Sequence, residues 1–324
     1  MGNLAFEDFP IRPTLLYMGT PDFAVPTLEA LLDHESRVLA VVTQPDKPQG
    51  RGKKVVFSPV KRLALERNIP VLQPEKASSP SFCDQIRAMN PDLLIVVAFG
   101  QILKRRLLDI PKWGAVNIHA SLLPKLRGAA PIQRAVMNNE PVTGLTIMRM
   151  DEGMDTGPIL FQEETPVGPD ETAGQLHDRL SVTAGRLMVR SLKAMAEGRV
   201  RERAQDAAEV TYAPKIERED GLVLWSESAE RVSALIRALD PKPGAYTLWR
   251  GQEIKLFGST VTAEGRGRGF PGRVTGRKDG RLVVETGDEA VGIREMQAPG
   301  KRRLSADEFL RGVPIPEGAI LGER

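Results

Sequence analysis

A single cysteine, Cys83, and only three histidines stand among 324 residues. One thiol cannot close an internal disulfide, so a reducing compartment, the cytoplasm, is expected. With so few soft ligands no metal site is expected either. Excess charge of one sign is nearly absent too, since 45 Lys and Arg face 42 Asp and Glu and leave +3. Total charge therefore does not argue for a nucleic-acid partner, and any basic surface must come from local clustering. No run of about 18 apolar residues occurs, and the first 13 residues carry Glu7 and Asp8 in place of a signal-like apolar stretch. Neither export nor a membrane span is expected, and residues 1–13 contain no assignable motif.

Three common phosphate and nucleophile motifs are missing. Met18-Gly19-Thr20-Pro21 has one glycine, so a dinucleotide pyrophosphate would find no close backbone approach there. Gly50-Arg51-Gly52-Lys53-Lys54 has the wrong spacing for a P-loop and no following Ser or Thr. G-x-S-x-G is absent, which argues against an α/β-hydrolase.

What is present is an alternation. Apolar runs at Leu15 to Met18, Val38 to Thr43, Pro70 to Leu72, Leu93 to Phe99 and Ala115 to His119 read as strands. Between them, Thr27 to Leu32, Pro59 to Glu66 and Pro80 to Met89 read as helices, several opened by a Ser or Thr cap or a first-turn Pro. Leu93 to Phe99 lacks polar alternation, which places it centrally in a sheet covered on both faces. Gly144 to Met150 predicts a further strand and Thr172 to Glu197 a long helix. The fold expected is therefore α/β, a Rossmann-like, doubly wound, mostly parallel sheet over residues 1–198. Residues 199–221, charged and poorly periodic, are expected to be a linker. From 222 to 324, short strands punctuated by turns predict a small OB-like β-barrel: Tyr246 to Trp249, Ile254 to Phe257, Gly272 to Thr275, Leu282 to Glu285 and Ala290 to Met296. A length above roughly 250 to 300 residues agrees with two domains.

In such a sheet, ligands bind beyond the carboxyl ends of the strands. The segments 19–22, 44–54, 99–101 and 119–128 all fall on that rim. Asn117 and His119 are two apart on a strand, so they share a face. Imidazole shuttles protons near neutral pH, and an Asn amide can donate to an oxygen that gains charge. Asp155, between Gly153 and Gly157 in an irregular loop, is a carboxylate that can orient the histidine. Taken singly, each is more often a structural hydrogen-bonding group or a turn residue. Ser121 reads as a loop hydrogen-bonder rather than a nucleophile. Together, Asn117, His119 and Asp155 are the candidate catalytic residues.

Asn117-Ile118-His119-Ala120-Ser121-Leu122-Leu123-Pro124, followed by Arg127-Gly128-Ala129-Ala130-Pro131-Ile132, resembles the signature of formyltransferases that use 10-formyltetrahydrofolate. Asp151 to Gly157 is similar to the family's D-x-G-x-D-T-G segment. Met18 to Val25, Gln44 to Asp46 and Gly50 to Lys54 extend the likeness across the first domain. Tyr212 to Ile216, Pro241 to Gly244 and Gln297 to Lys301 carry it weakly into the second. The resemblance implies that a formyl group passes to the α-amino group of methionine esterified to initiator tRNA. Asn117 would stabilise the oxyanion, His119 would move protons between the two nitrogens, and Asp155 would position His119. Ser121, Leu122, Leu123 and Pro124 are implied as the folate-contacting loop, with Phe99, Gly100 and Ile102 as pterin-pocket wall. No metal is required, and a monomer is expected.

Lys47, Arg51, Lys53, Lys54, Lys61 and Arg62 concentrate near the rim against Asp46. Such a run is usually a solvated face, but Gly50 and Gly52 would let it approach RNA phosphates. In the tRNA-acting members this loop reaches the acceptor stem, and Arg51 is the matching arginine. Arg266, Arg268, Arg273, Arg277, Lys278 and Arg281 form a second basic cluster, with Arg273 and Lys278 the candidate RNA contacts. Residues 265–269 read equally as a disordered loop. Two rivals remain at this level: a formyltransferase acting on a small amine, and an RNA-binding protein with a degenerate catalytic core.

Overall fold

Leu93–Val97, apolar at every position, is buried along its whole length and is the middle strand of a seven-stranded sheet. The computed structural model of the protein describes residues 6–34, 36–49, 54–263 and 270–322. In chain order the elements are β1 (Thr14–Gly19), α1 (Val25–Asp33), β2 (Arg37–Val42), β3 (Lys47–Gln49), β4 (Lys54–Val56), α2 (Pro59–Glu66), β5 (Val71–Leu72) and α3 (Pro80–Met89). There follow β6 (Leu93–Val97), α4 (Arg105–Leu108), β7 (Ala115–His119), α5 (Pro131–Met137), β8 (Val142–Arg149), β9 (Ile159–Pro166) and α6 (Ala173–Ala196). The C-terminal part runs α7 (Ala229–Ala238), β10 (Ala245–Trp249), β11 (Gln252–Thr262), β12 (Val274–Lys278), β13 (Arg281–Glu285), β14 (Ala290–Gln297), β15 (Leu304–Ser305) and α8 (Ala306–Gly312).

The large sheet has the order β5-β2-β1-β6-β7-β8-β9. Its ladders are parallel from β5 through β7, and β8 runs antiparallel to β7. Leu16, Met18, Ala40, Val42, Leu94 and Val96 pack on one face against Phe82, Cys83 and Ile86 of α3. Tyr17 points to the other face, where its hydroxyl donates to the Ala24 carbonyl just before α1. The expected helices form where their caps predict. Ser58 accepts from Lys61 N ahead of α2, Ser79 accepts from Phe82 N ahead of α3, and each is followed by Pro. This is the mostly parallel, Rossmann-like sheet that the alternation predicts.

The topology switches between β1 and β6, because the chain moves outward through β2 to β5 and returns beside β1. A crevice at the carboxyl ends of these two strands follows from that reversal. The strand β9, the helix α5 and the β3–β4 pair were not anticipated. Residues 159–166 lack strict alternation because only Ile159 and Leu160 of that strand are buried.

The second sheet is antiparallel, in the order β10-β11-β14-β13-β12, with β15 added to β14. Its core gathers Trp225, Val232, Ile236, Leu256, Val284 and Ile293. The predicted barrel is joined through the C-terminal segment: Leu321 N donates to Gly272 O at 2.8 Å, and Gly322 N donates to Leu248 O of β10 at 2.9 Å. The segment 319–322 thus bonds both to β10 and to the residues just ahead of β12.

Two compact units emerge from the contacts, one within residues 1–128, 143–165 and 177–212, the other within 129–142, 166–176 and 213–324. The sequence predicts two consecutive domains joined by a linker over residues 199–221, and the last crossing between the units, at 212/213, falls inside that stretch. The second unit further recruits α5 and the start of α6, because Arg134 of α5 pairs with Asp220 and Arg237 of α7 donates to Asn139 Oδ1 and Glu171 O. The predicted linker is also structured. Arg203 exchanges two backbone hydrogen bonds with Ile159, and Thr211 O accepts from Arg127 N at 2.9 Å. Charge and missing periodicity marked these residues as a linker, but their order comes from backbone pairing, which leaves no period in the side chains.

Candidate active site

β7 ends on the expected pair. Asn117 and His119 lie on the same face of this strand, opposite Met148 and Thr146 of β8. Asn117 is partly exposed and His119 is buried. The loop after β8 brings Asp155 to the histidine, with Oδ2 3.5 Å from His119 Nδ1. The other ring nitrogen, Nε2, faces Leu126 O at 2.9 Å. Carboxylate and carbonyl are both acceptors, so a ring protonated on both nitrogens satisfies both, whereas a neutral ring satisfies one. Each ring nitrogen of His119 thus faces an acceptor, Leu126 O at Nε2 and Asp155 Oδ2 at Nδ1.

The loop geometry that achieves this is strained. Asp155 sits at φ 56 and Leu126 at φ 59, both in the left-handed region. For a residue such as Leu126 that conformation is unusual, and it persists because its N–H donates to Thr211 Oγ1 at 2.8 Å while its C=O takes the imidazole. Gly157 is required by close approach, because a Cβ there would lie 1.8 Å from Arg149 O. Asp151 caps the same loop, accepting from Gly153 N and Thr156 Oγ1 through Oδ1.

The Asp155 carboxylate is further held by Gly128, whose N–H donates to Oδ2 at 2.8 Å. Behind it lies a side chain the sequence reading did not single out. Gln205 donates through Nε2 to Asp155 O at 2.8 Å and to Gly157 O at 2.7 Å. Its Oε1 accepts from Arg127 Nε at 3.0 Å and from Arg127 Nη2 at 2.6 Å. No periodicity or spacing signal could have found Gln205, since it lies in the stretch read as a linker.

The 121–124 segment is built inward. Ser121 is fully buried and donates from Oγ to Lys125 O at 2.6 Å, in keeping with a loop hydrogen-bonder. Thr146 Oγ1 donates to Ser121 O and accepts from Leu123 N. Leu123 and Pro124 are buried, joined by a cis peptide bond, and Leu122 is partly exposed. On the β6 side, Phe99 is buried while Gly100 and Ile102 are exposed. The rim loops interlock as the strand order requires: Thr20 Oγ1 and Gln44 Nε2 both donate to Phe99 O, at 3.0 and 3.2 Å. A cleft of about 470 Å³ opens beside them, lined by residues including Thr20, Gln44, Asp46, Lys47, Phe57 and Arg62. Asn117, His119 and Asp155 do not line it; β7 lies two strands from β1.

The basic residues divide. Lys47 is exposed, Arg51 and Lys53 lie outside the described residues, and for Lys54 only its place in β4 is described. Lys61 is not an open cation, because its Nζ meets Asp46 Oδ2 at 2.5 Å and Gln73 Oε1 at 2.7 Å. Arg273 is likewise engaged, in a two-pronged pair with the buried Glu285, both contacts at 3.0 Å. That pairing bears against its reading as an RNA contact, because the guanidinium neutralises a carboxylate buried at the end of β13. Lys278 is exposed, while Arg277 pairs with Asp307, and residues 265–269 lie outside the described residues. Among the described residues no group of three or more His, Cys, Asp or Glu is placed to hold a metal ion, and no helix is long and apolar enough to cross a membrane.

The formyl transferase family model matches residues 12–192, and the formyl transferase C-terminal domain model matches residues 215–314. A methionyl-tRNA formyltransferase of Pelobacter propionicus is 46% identical over 309 residues, covering 95% of this chain and 96% of the relative. One from Geobacter metallireducens is 46% identical over 310 residues, covering 95% and 98%. Among solved structures, the sugar 3N-formyl transferase WlaRD, crystallised in the presence of dTDP and 5-N-formyl-THF, superposes with a TM-score of 0.66 at 20% identity. That match covers 90% of this chain and all of that one, and it shows a shared fold. With both domain models matched in order and relatives aligned nearly end to end, the chain belongs to the methionyl-tRNA formyltransferase family.

Proposed function

We propose that the protein transfers the formyl group of 10-formyltetrahydrofolate to the α-amino group of methionine on initiator tRNA. The observation that carries the reading is His119, set between Leu126 O and Asp155 at the carboxyl end of β7 with Asn117 on the same face. Asn117 donates its amide N–H to the formyl oxygen as charge develops on it. His119 takes the proton released by the attacking amine on Nε2, which exchanges Leu126 O for the reacting atoms in this step, and returns one to the departing nitrogen. Asp155 keeps the ring oriented and offsets its charge while it is protonated.

The donor is placed against Phe99, Gly100 and Ile102 on one side and Ser121 to Pro124 on the other. Because Ser121, Leu123 and Pro124 are buried, the 121–124 loop would meet the folate through its backbone and Leu122. Lys47, Arg51, Lys53 and Lys54 would meet RNA phosphates, with Lys278 on the second sheet. Arg273 is not in this set, since Glu285 occupies its guanidinium.

The deciding assay measures formyl transfer to charged initiator tRNA, charged elongator tRNA and small amines with the same donor. Transfer confined to the initiator supports the reading, and preference for a small amine overturns it. Arg51→Ala and Lys53→Ala should weaken tRNA binding and flatten its salt dependence while folate binding stays nearly constant. An equal loss of both affinities would contradict the assignment of that loop.

A further inference from the structure

Gln205 falls between the two matched family regions, in a stretch the sequence marks as a linker, yet it touches both loops that form the active site. Its amide can be oriented in one way only. The Arg127 guanidinium has donors alone and must face Oε1, whereas Asp155 O and Gly157 O are acceptors and must face Nε2. Both hydrogens and the oxygen are thereby used. Gln205 thus ties the loop after β7, through Arg127, to the backbone on both sides of Thr156, through Asp155 and Gly157.

The tie acts on an irregular turn, in which Asp155 sits at φ 56 in the left-handed region. Arg127 is buried and its neighbour Gly128 grips the Asp155 carboxylate at 2.8 Å, so one rigid unit runs from Gln205 through Arg127 and Gly128 to Oδ2. That oxygen faces His119. We propose that Gln205 is a positioning residue for formyl transfer: by clamping the Arg127-Gly128 turn onto the Asp155 loop, it sets the reach of the Asp155 carboxylate to His119.

The inference rests on the roles assigned above to Asp155 and His119. Gln205→Ala removes the clamp. Gln205→Glu keeps its shape and the Arg127 pair but turns a carboxylate oxygen toward two carbonyls. Both variants should lower kcat about 10- to 100-fold, the scale of a small misplacement of a catalytic group. KM for charged tRNA and for the folate should stay within about two-fold, since binding groups are untouched. In single-turnover reactions with enzyme in excess, which read slow rates, Gln205→Ala should cost little more once Asp155→Asn is present, because both act through one group. A kcat near the unmodified value in the Gln205 variants overturns the proposal alone, as does a full multiplication of the two effects in the double variant. An Asp155→Asn protein of normal activity overturns the role of Asp155 and the proposal with it. Should Gln205→Ala melt early, the isosteric Gln205→Glu carries the comparison.

Discussion

Gly128 donates its backbone N–H to Asp155 Oδ2 at 2.8 Å, so the signature that follows β7 holds the carboxylate contributed by the loop after β8. The two motifs are one structural object. Their conjunction gives Gly128 and Asp155 their places.

Replacing Asp155 by Asn should preserve the bond from Gly128, because an amide oxygen can accept it, while removing the charge that faces His119. We expect kcat to fall about 10²- to 10⁴-fold, the range for disabling a general acid–base group, here His119 deprived of its orienting carboxylate. Dissociation constants for tRNA and folate should change little. Steady-state kinetics beside equilibrium binding checks this, and a matched loss of affinity would show that Asp155 binds substrate.

Gly128 has φ 124, a region that L-residues avoid. A Gly128→Ala variant should lose about 1 to 3 kcal/mol of stability. Moving its N–H away from Asp155 should also slow formyl transfer. Urea unfolding and kcat should therefore fall together, and a stable variant of full activity would show that the turn relaxes freely.

Arg273 and Glu285 yield a stability prediction where the sequence suggested RNA contact. The Glu285 side chain is 1% exposed and Arg273 is its ion-pair partner, with the guanidinium also 4.3 Å from the centre of the Phe270 ring. Arg273→Ala should cost about 3 kcal/mol by leaving a buried carboxylate unpaired. Arg273→Lys should recover only part, because an ammonium cannot reproduce the two-pronged contact. Chemical denaturation decides it, and a variant of unchanged midpoint with weakened tRNA binding would restore the RNA reading.

Acid should act partly through Asp46. The hydrogen bond from Lys61 Nζ holds its carboxyl below the usual carboxylate range, against an opposing effect of burial and with help from Gln73. A depressed value in the folded state means that the stabilisation is complete above the unfolded carboxylate pKa of about 3.9. It is lost as pH falls through the lower folded value. Asp46→Asn should thus be less stable than the unmodified protein near neutral pH, and the difference should shrink on acidification below about pH 4. Urea midpoints measured across that window test it; a gap constant with pH would rule the pair out as the cause.

The strands and helices of the large sheet were legible wherever one face or both were uniformly apolar, as in Leu93–Val97, or where a Ser-Pro pair opened a helix, as at Ser58 and Ser79. The strand at 159–166 was not legible, because burial stops after its second residue. Asn117, His119 and Asp155 could be chosen because strand alternation puts the first two on one face and Gly153 and Gly157 mark an irregular loop. The hydrogen-bonded order of the segment 199–221 was not legible, because its partners, Ile159, Arg127 and Asp155, are far away in the chain.

By itself, then, the sequence determined the layered α/β plan, the antiparallel second part and the residues at the end of β7, since periodicity and spacing are local properties of the chain. Only the tertiary structure decided which groups hold those residues in place. Leu126 meets His119 with a carbonyl, and Gln205 meets Asp155 and Gly157 at theirs. A backbone carbonyl carries no residue identity, so its choice of partner cannot be read before the chain is folded.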